Sequence, residues 1–544
     1  MNTRTTGRTL AIWCVAIFGW LLLGAARVQS QTASVVAEQQ PGSDLGAKIA
    51  AADAALGQAR GEIRVTKSGA ISTRLTLSPN HDLICAGDHV TLTLTTAAAS
   101  IVLPSKSVVR ACALSSSQTA SPQGGEIFSQ GASDVHVEDV TFVGGGYHIH
   151  FESVSNFSIK NTRHLSITAG GTSPIVVNSS DHGQITSPLI EGFNFPAGNW
   201  QARLIRVSMS RFVEVSDPVI RDVDASAIIA CGGVTFSSSS DSSLRGGQIS
   251  GLKNCDGVLT ELVRYDAPPP NNIEITGTVS GGNNNAPGVG PYAHNGEGFD
   301  IFNSRNIRLS NVTVRDNDRH GNIQPGIEVS NSTQITISDS IISDNHAVGI
   351  KVDGSPGVTI ENCRTNHNGG SGIYVMPALG NVKVTHGSSA VKWVPGRAGI
   401  TFSAVWPDST RIVISGSVYT IASLQTTSDL TLTTAFAGAT GVSGYDLDSY
   451  VEITGGESLD NGQLAAGLPP NQNAGSREGV YFSGSSGELT GRVTRLHAAD
   501  TQGRKTQMYG IRLENHARVI ASSNSVEGNL VQGIRDSPKR SEIH

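Results

Sequence analysis

The sequence predicts an all-β solenoid of stacked parallel coils, on three observations. The chain has 544 residues, more than the roughly 250 to 300 that one hydrophobic core supports, so it is multidomain or repetitive. Only 15% of it is charged, while glycine numbers 62, a balance that disfavours long salt-bridged helices and favours short strands joined by turns. The third observation is a repeat. Gly298-Phe-Asp-Ile, Gly326-Ile-Glu-Val, Gly349-Ile-Lys-Val and Gly372-Ile-Tyr-Val follow one another at 28, 23 and 23 residues, and Gly510-Ile-Arg-Leu and Gly533-Ile-Arg-Asp are again 23 apart. A unit this short cannot bury its own apolar face, so units must stack. Hydrophobic residues at 38% exclude wholesale disorder. A net charge of -6 with no basic block leaves nucleic acid out as a partner.

Residues 1–30 read as an export signal. Arg4 and Arg8 precede an apolar run, Leu10 to Ala26, and Arg27-Val28-Gln29-Ser30 offers small residues for cleavage. The expectation is a secreted, periplasmic or cell-surface protein with no membrane span beyond that segment. An uncleaved anchor is the alternative, since the run approaches the ~20 residues that span a bilayer. Export permits disulfides. Cys231 and Cys255 lie 24 residues apart, and Cys85 and Cys112 lie 27 apart, close to one coil. Positions one coil apart stack at about 4.8 Å, within bridging range. Cys231 with Cys255 is the preferred pair, and a set of five buried thiols is the alternative.

Residues 31–62 form a linker and a capping helix. Ser43 or Asp44 serves as N-cap, and Leu45, Ile49 and Leu56 share one stripe that covers the open end of the solenoid. Residues 63–390 carry the coils. Upstream coils are read at Ile149-His-Phe, Ile175-Val-Val, Ile205-Arg-Val, Val234-Thr-Phe and Val263-Arg-Tyr265, and second alternating strands at Ile307-Arg-Leu, Ile335-Thr-Ile and Val358-Thr-Ile. Asn317, Asn345 and Asn368 each fall nineteen positions after their glycine, where stacked amides can bond up the axis as an asparagine ladder. Residues 391–452 break the period. Trp393, Phe402, Trp406 and a hairpin turning at Gly416-Ser417 predict an inserted small β-barrel or sandwich, its aromatics serving as core or as sugar platforms. Residues 453–478 are a returning loop, and 479–544 are the last coils and tail.

The residue two after each coil glycine should point outward, and these residues should form a straight file: Arg206, Thr235, Arg264, Asp300, Glu328, Lys351 and Tyr374. Two carboxylates near 5 Å repel unless something compensates, so Asp300 and Glu328 are functional candidates. Three chemistries suit them. They can act as acid and base of glycoside hydrolysis. They can hold Ca²⁺ against a uronate while Lys351 or Arg264 abstracts the adjacent proton. Or the file is a glycan-binding or simply solvated strip. Glu297, His294 and His320, with Asp316 and Asp318, flank Asp300 in the loops. Glu297 and His320 are assigned to catalysis, and Arg264, His294, Tyr374 and Arg206 to substrate binding. His148 and His150, with Glu152, are a separate metal candidate.

The Asp44-Leu-Gly-Ala-Lys-Ile49 opening, the Gly61-Glu-Ile-Arg-Val65 strand and the Gly-Ile-x-Val coils resemble the right-handed parallel β-helix proteins of the pectate-lyase-like superfamily. That resemblance implies the fold over most of the chain. It implies less about activity, because the superfamily spans lyases, hydrolases, epimerases, phage tailspikes and surface proteins. Asn295-Gly-Glu-Gly-Phe-Asp-Ile301 resembles the Asn-Thr-Asp-Gly-Phe-Asp-Ile segment of polygalacturonases, with Glu297 at a catalytic aspartate's place. The next coil departs from that family, with Gln324-Pro325 for its Asp-Asp pair. Further on, Ala347-Val348-Gly349 stands for Gly-His-Gly, with His346 displaced, and Gly372-Ile-Tyr-Val stands for Arg-Ile-Lys. The expectation is a polysaccharide-acting enzyme, lyase or hydrolase; the alternative is a noncatalytic secreted β-helix that binds glycan or serves as a structural or adhesive module.

Overall fold

The computed structural model describes residues 32–543, apart from 88, 117–124, 167–172, 199–200, 265–266, 284–295, 318–323, 378, 396–401, 404, 407–409, 427, 448, 463–476 and 537–541. The segment expected to direct export therefore lies outside the described residues, as do His294, His320 and Asp318. Among the described residues no helix is long and apolar enough to cross a membrane.

Three long parallel sheets wind into a right-handed solenoid. Each coil contributes one strand to each sheet; Ile327–Ser330, Ile335–Ser338 and Ile341–Ser343 are one such set. The register between coils follows the repeat. Phe299 pairs with Ile327, Ile327 with Ile350 and Ile350 with Ile373. Alternation puts these apolar residues inside, where Phe299, Ile327 and Ile350 are fully buried, and turns the intervening positions outward. The coil glycines are required by close packing. A Cβ on Gly326 would fall 2.6 Å from Asn345 Nδ2, and one on Gly349 would fall 2.6 Å from the carbonyl of Gly372.

The asparagine ladder runs beyond the three residues foreseen. Asn317 Nδ2 donates to Asn345 Oδ1 (3.0 Å), Asn345 to Asn368 (3.0 Å), Asn368 to Asn461 (3.1 Å) and Asn461 to Gln507 Oε1 (3.3 Å). A serine ladder lines another corner. Ser332 Oγ accepts from the amide of Ser304 and Ser355 Oγ from that of Ser332, both at 3.0 Å. Polar corners of this kind satisfy buried backbone groups where the chain turns between sheets.

The helix spans Leu45–Leu56, capped by Asp44, whose side chain accepts from the amide of Ala47 at 2.8 Å. Leu45, Ile49, Ala52 and Leu56 are buried under it. The solenoid begins earlier than Ile63, because Ala33–Val36 pairs with Gly61–Val65. Cys231–Cys255 and Cys85–Cys112 both form disulfides, and Cys363 is a buried free thiol.

The inserted module is a closed six-stranded antiparallel barrel. It starts at Leu379 rather than at 391 and ends at Leu447. The period-two pattern of Leu379–Val384 suits a coil strand equally well, so the boundary was not visible. The strand pairs instead with Ala390–Val394 and Gly441–Leu447. The hairpin turns at Ser415 and Gly416, both at positive φ (52° and 78°), the geometry of a tight two-residue turn. Phe402, Trp406 and Tyr445 fill its core, so these rings are packing residues and are not presented to a sugar. Ser403 Oγ binds Asn303 Oδ1 (2.8 Å) and the Asn331 carbonyl (3.0 Å), tying the barrel to the coils. The returning loop is shorter than foreseen: Tyr450–Thr454 and Glu457–Leu459 are coil strands paired with Val358–Glu361 and Arg364–Asn366.

Candidate active site

Consecutive strands of the first sheet pair Arg206 with Thr235, Thr235 with Leu259, Leu259 with Asp300, Asp300 with Glu328, Glu328 with Lys351 and Lys351 with Tyr374. The file continues to Tyr481 and Arg512. Leu259 therefore holds the place assigned to Arg264. The Cys231–Cys255 register sets Val258 opposite Val234, leaving Arg264 exposed in the bend after Cys255–Glu261. The apolar-polar-apolar pattern of Val263-Arg-Tyr265 imitated a strand. Gly257, ahead of Val258, was the usable signal.

Asp300 and Glu328 lie on adjoining rungs, and each meets different partners. Glu328 Oε1 accepts from Lys351 Nζ at 2.8 Å and from Ser330 Oγ at 2.9 Å. Among the described residues no cation pairs with Asp300 directly, and Lys351 acts on it only through its field. Burial, then the carboxyls of Asp256, Glu328 and Glu261, pushes its acid well above the usual aspartate value. Glu297 is also raised well above its usual value, by burial first and by Asp256 next. It hydrogen-bonds Asp256, and the Gly296 amide donates to both carboxyls, at 3.0 Å to Asp256 and 2.9 Å to Glu297.

Three further members were not foreseen. Asp256 precedes Gly257 as Glu297 precedes Gly298, so its position relative to the coil glycine was the missed signal. Glu261 is clasped by Arg203 through Nε (3.0 Å) and Nη2 (2.8 Å), and accepts from Ser237 Oγ (3.0 Å). Asp353 lies two residues beyond Lys351, 3.7 Å from its ammonium. Burial pushes its carboxyl up to about 6 against that attraction. Asp256, Glu261, Glu297, Asp300, Glu328 and Asp353 thus make six carboxyls around two cations, Arg203 and Lys351, each already in an ion pair.

Towards the C-terminal end, Tyr374 stacks on Tyr481 with ring centroids 5.1 Å apart. Arg512 lies 4.8 Å over Tyr481 and is paired with Glu478 and Glu514. Towards the N-terminal end, His148 and His150 do not converge on a metal. His148 is buried beside Phe142, its Nε2 donating to the Gly144 carbonyl (2.8 Å) and its Nδ1 lying 2.9 Å from His164 Nδ1. That pattern closes with both rings neutral and His164 donating, and burial holds His148 down at about 4. His150 is half-buried on its strand, 3.6 Å from Glu152. Among the described residues no group of three or more His, Cys, Asp or Glu gathers as a metal cage. Of the oxygens expected to hold calcium, Glu328 Oε1 is engaged by Lys351 and Ser330.

The description "Right handed beta helix region" matches residues 283–390. No curated protein matches the chain. Among solved structures, it is similar to the A-module of the Azotobacter vinelandii mannuronan C-5 epimerase AlgE6, at 12% identity over 94% of this chain and 97% of that one, with a TM-score of 0.38. It is similar to the Dettilon tailspike protein, at 12% identity over 76% and 94%, with a TM-score of 0.44. It is also similar to the Streptococcus pneumoniae surface protein and adhesin PfbA, at 13% over 61% and 96%, with a TM-score of 0.45. With coils that wind through three parallel sheets and a family model that matches their central stretch, the chain is a right-handed parallel β-helix protein.

Proposed function

We propose that this protein is an exported glycoside hydrolase that lays a polysaccharide along the outward file of the first sheet and cuts it beside Asp300. One observation carries the reading: a carboxyl whose affinity for its proton is raised by burial and by neighbouring acids, directly beside a second carboxyl that is ion-paired to a lysine. Glycoside hydrolysis needs that division of labour. Asp300 donates its proton to the glycosidic oxygen as that bond breaks. One rung of separation suits the retaining course, in which Glu328 bonds to the anomeric carbon as the leaving oxygen departs with the Asp300 proton, and Asp300 then takes a proton from the water that displaces Glu328. Asp256, hydrogen-bonded to Glu297, adds to the acidic field that raises the Asp300 carboxyl.

Elimination is the weaker reading. Its base would be Lys351, whose pKa is raised by Glu328 and Asp353 against the effect of burial, or Arg264, which lies off the file. The test is incubation with neutral and acidic polysaccharides, scored for new reducing ends and for unsaturated products. The expected result is reducing ends without unsaturation, lost about 10³-fold in Asp300→Asn. Unsaturated products overturn hydrolysis. Binding without either product makes the protein a glycan-binding module.

A further inference from the structure

Among the described residues, both cations at the carboxyl cluster are spent: Arg203 on Glu261 and Lys351 on Glu328. Farther along, Arg512 is matched to Glu478 and Glu514. Arg206 differs from all three. It is half-buried in the same file, its Nε is shielded from water, and no hydrogen-bond or ion-pair partner engages it among the described residues. Glu261 feels it only at longer range, through the field that also includes Arg203. On the next rung the hydroxyl of Thr235 is likewise buried without a partner. Desolvated donors left unmatched cost stability, which a ligand acceptor at Arg206 would offset.

The distance between this cation and the cluster has a chemical meaning. Arg206 is three rungs from Asp300, through Thr235 and Leu259, or about 14 Å at strand spacing. A pyranose ring advances a glycan by about one rung. Among the described residues, a sugar seated at Asp300 faces six carboxyls and no uncommitted cation, so a carboxylate on that sugar would be repelled. A sugar about three units away meets a free guanidinium suited to a carboxylate.

We infer that the ligand is an acidic heteropolysaccharide, in which a neutral sugar sits at the Asp300 cluster while an acidic sugar about three units away is held by Arg206. A homopolymer of uronic acid is disfavoured by the same geometry. The inference rests on the glycan-acting reading above and adds the substrate class.

Affinity electrophoresis and calorimetry with the Asp300→Asn protein test it, so that binding is read without turnover. The probes are gellan, whose tetrasaccharide repeat carries one glucuronate, xanthan as a second acidic heteropolymer, polygalacturonate, and neutral dextran. The expected result is that gellan or xanthan binds at least about tenfold tighter than polygalacturonate or dextran. Arg206→Gln should remove about tenfold of that affinity, equal to about 1.4 kcal/mol, and Arg206→Lys should recover part of it. Arg206 holds no hydrogen-bond or ion-pair partner among the described residues, so the variants should melt no lower than wild type, and that melt is the control. Polygalacturonate bound as tightly as the heteropolymers, heteropolymers not bound at all, or affinity indifferent to Arg206 would each overturn the inference. Arg206-dependent binding by a wild-type protein that releases no reducing ends upholds the inference and defeats the hydrolase reading instead.

Discussion

Glu297 hydrogen-bonds Asp256 across adjoining coils, and the amide of Gly296 donates to both. With Glu297 the more strongly raised of the two acids, it carries the proton and Asp256 accepts it. A side chain that keeps a donor at this place should keep the fold. Glu297→Gln is expected to stay within about 1 kcal/mol of wild type in urea unfolding. Glu297→Leu should cost about 2 kcal/mol, because it leaves the buried Asp256 carboxyl without that partner.

Asp353 gives the cluster a pH signature. Its folded pKa, about 6, lies above the ordinary 3.8, so the native chain holds this proton more tightly than the unfolded one. Stability from this group is therefore present at acid pH, declines as pH climbs from about 4 to about 6, and stays lost above that. Asp300, raised for the same reasons, acts in the same direction. Asp353→Asn should flatten the decline and gain up to about 3 kcal/mol over wild type at pH 7. Melting curves from pH 4 to pH 8 measure it, and parallel profiles for the two proteins would refute the assignment.

Lys351 is the counter-charge of Glu328. Lys351→Met should destabilise by about 2 kcal/mol, a value reduced from that of a fully buried pair because the lysine remains 26% exposed. Urea unfolding of the variant measures the loss, and a transition that coincides with wild type would refute the pairing.

The Cys231–Cys255 bridge closes a loop of 24 residues between adjacent coils. Chain entropy assigns such a loop about 3 kcal/mol. Cys231→Ser with Cys255→Ser should lose that amount in chemical denaturation. Reductant should lower the stability of wild type through both bridges and that of the double variant through Cys85–Cys112 alone, about half as much.

The coils from Gly298 to Gly372 were legible because one strand pattern recurs at nearly constant spacing, and a file of isoleucines and valines can be buried only by stacking. Asn317, Asn345 and Asn368 were legible for the same reason. Asn461 and Gln507 continue that ladder but were hidden, because the barrel separates Asn368 from Asn461 by 93 residues. Arg264 was misplaced by local alternation, which a bend can imitate; only the pairing of Val234 with Val258 sets the phase. Asp256, Glu261 and Arg203 were missed because their meeting depends on side-chain reach across coils. His294 and His320 lie outside the described residues.

The barrel leaves and rejoins the coils at neighbouring points. Its first and last strands pair with one another, Leu379 opposite Asp446, while Val358–Glu361 resumes contact with Tyr450–Thr454 as though nothing intervened. Such a seam works as a socket. Evolution or an engineer can exchange the passenger plugged in there, altering where the molecule goes or what it carries, while the row of acids on the neighbouring wall keeps its spacing.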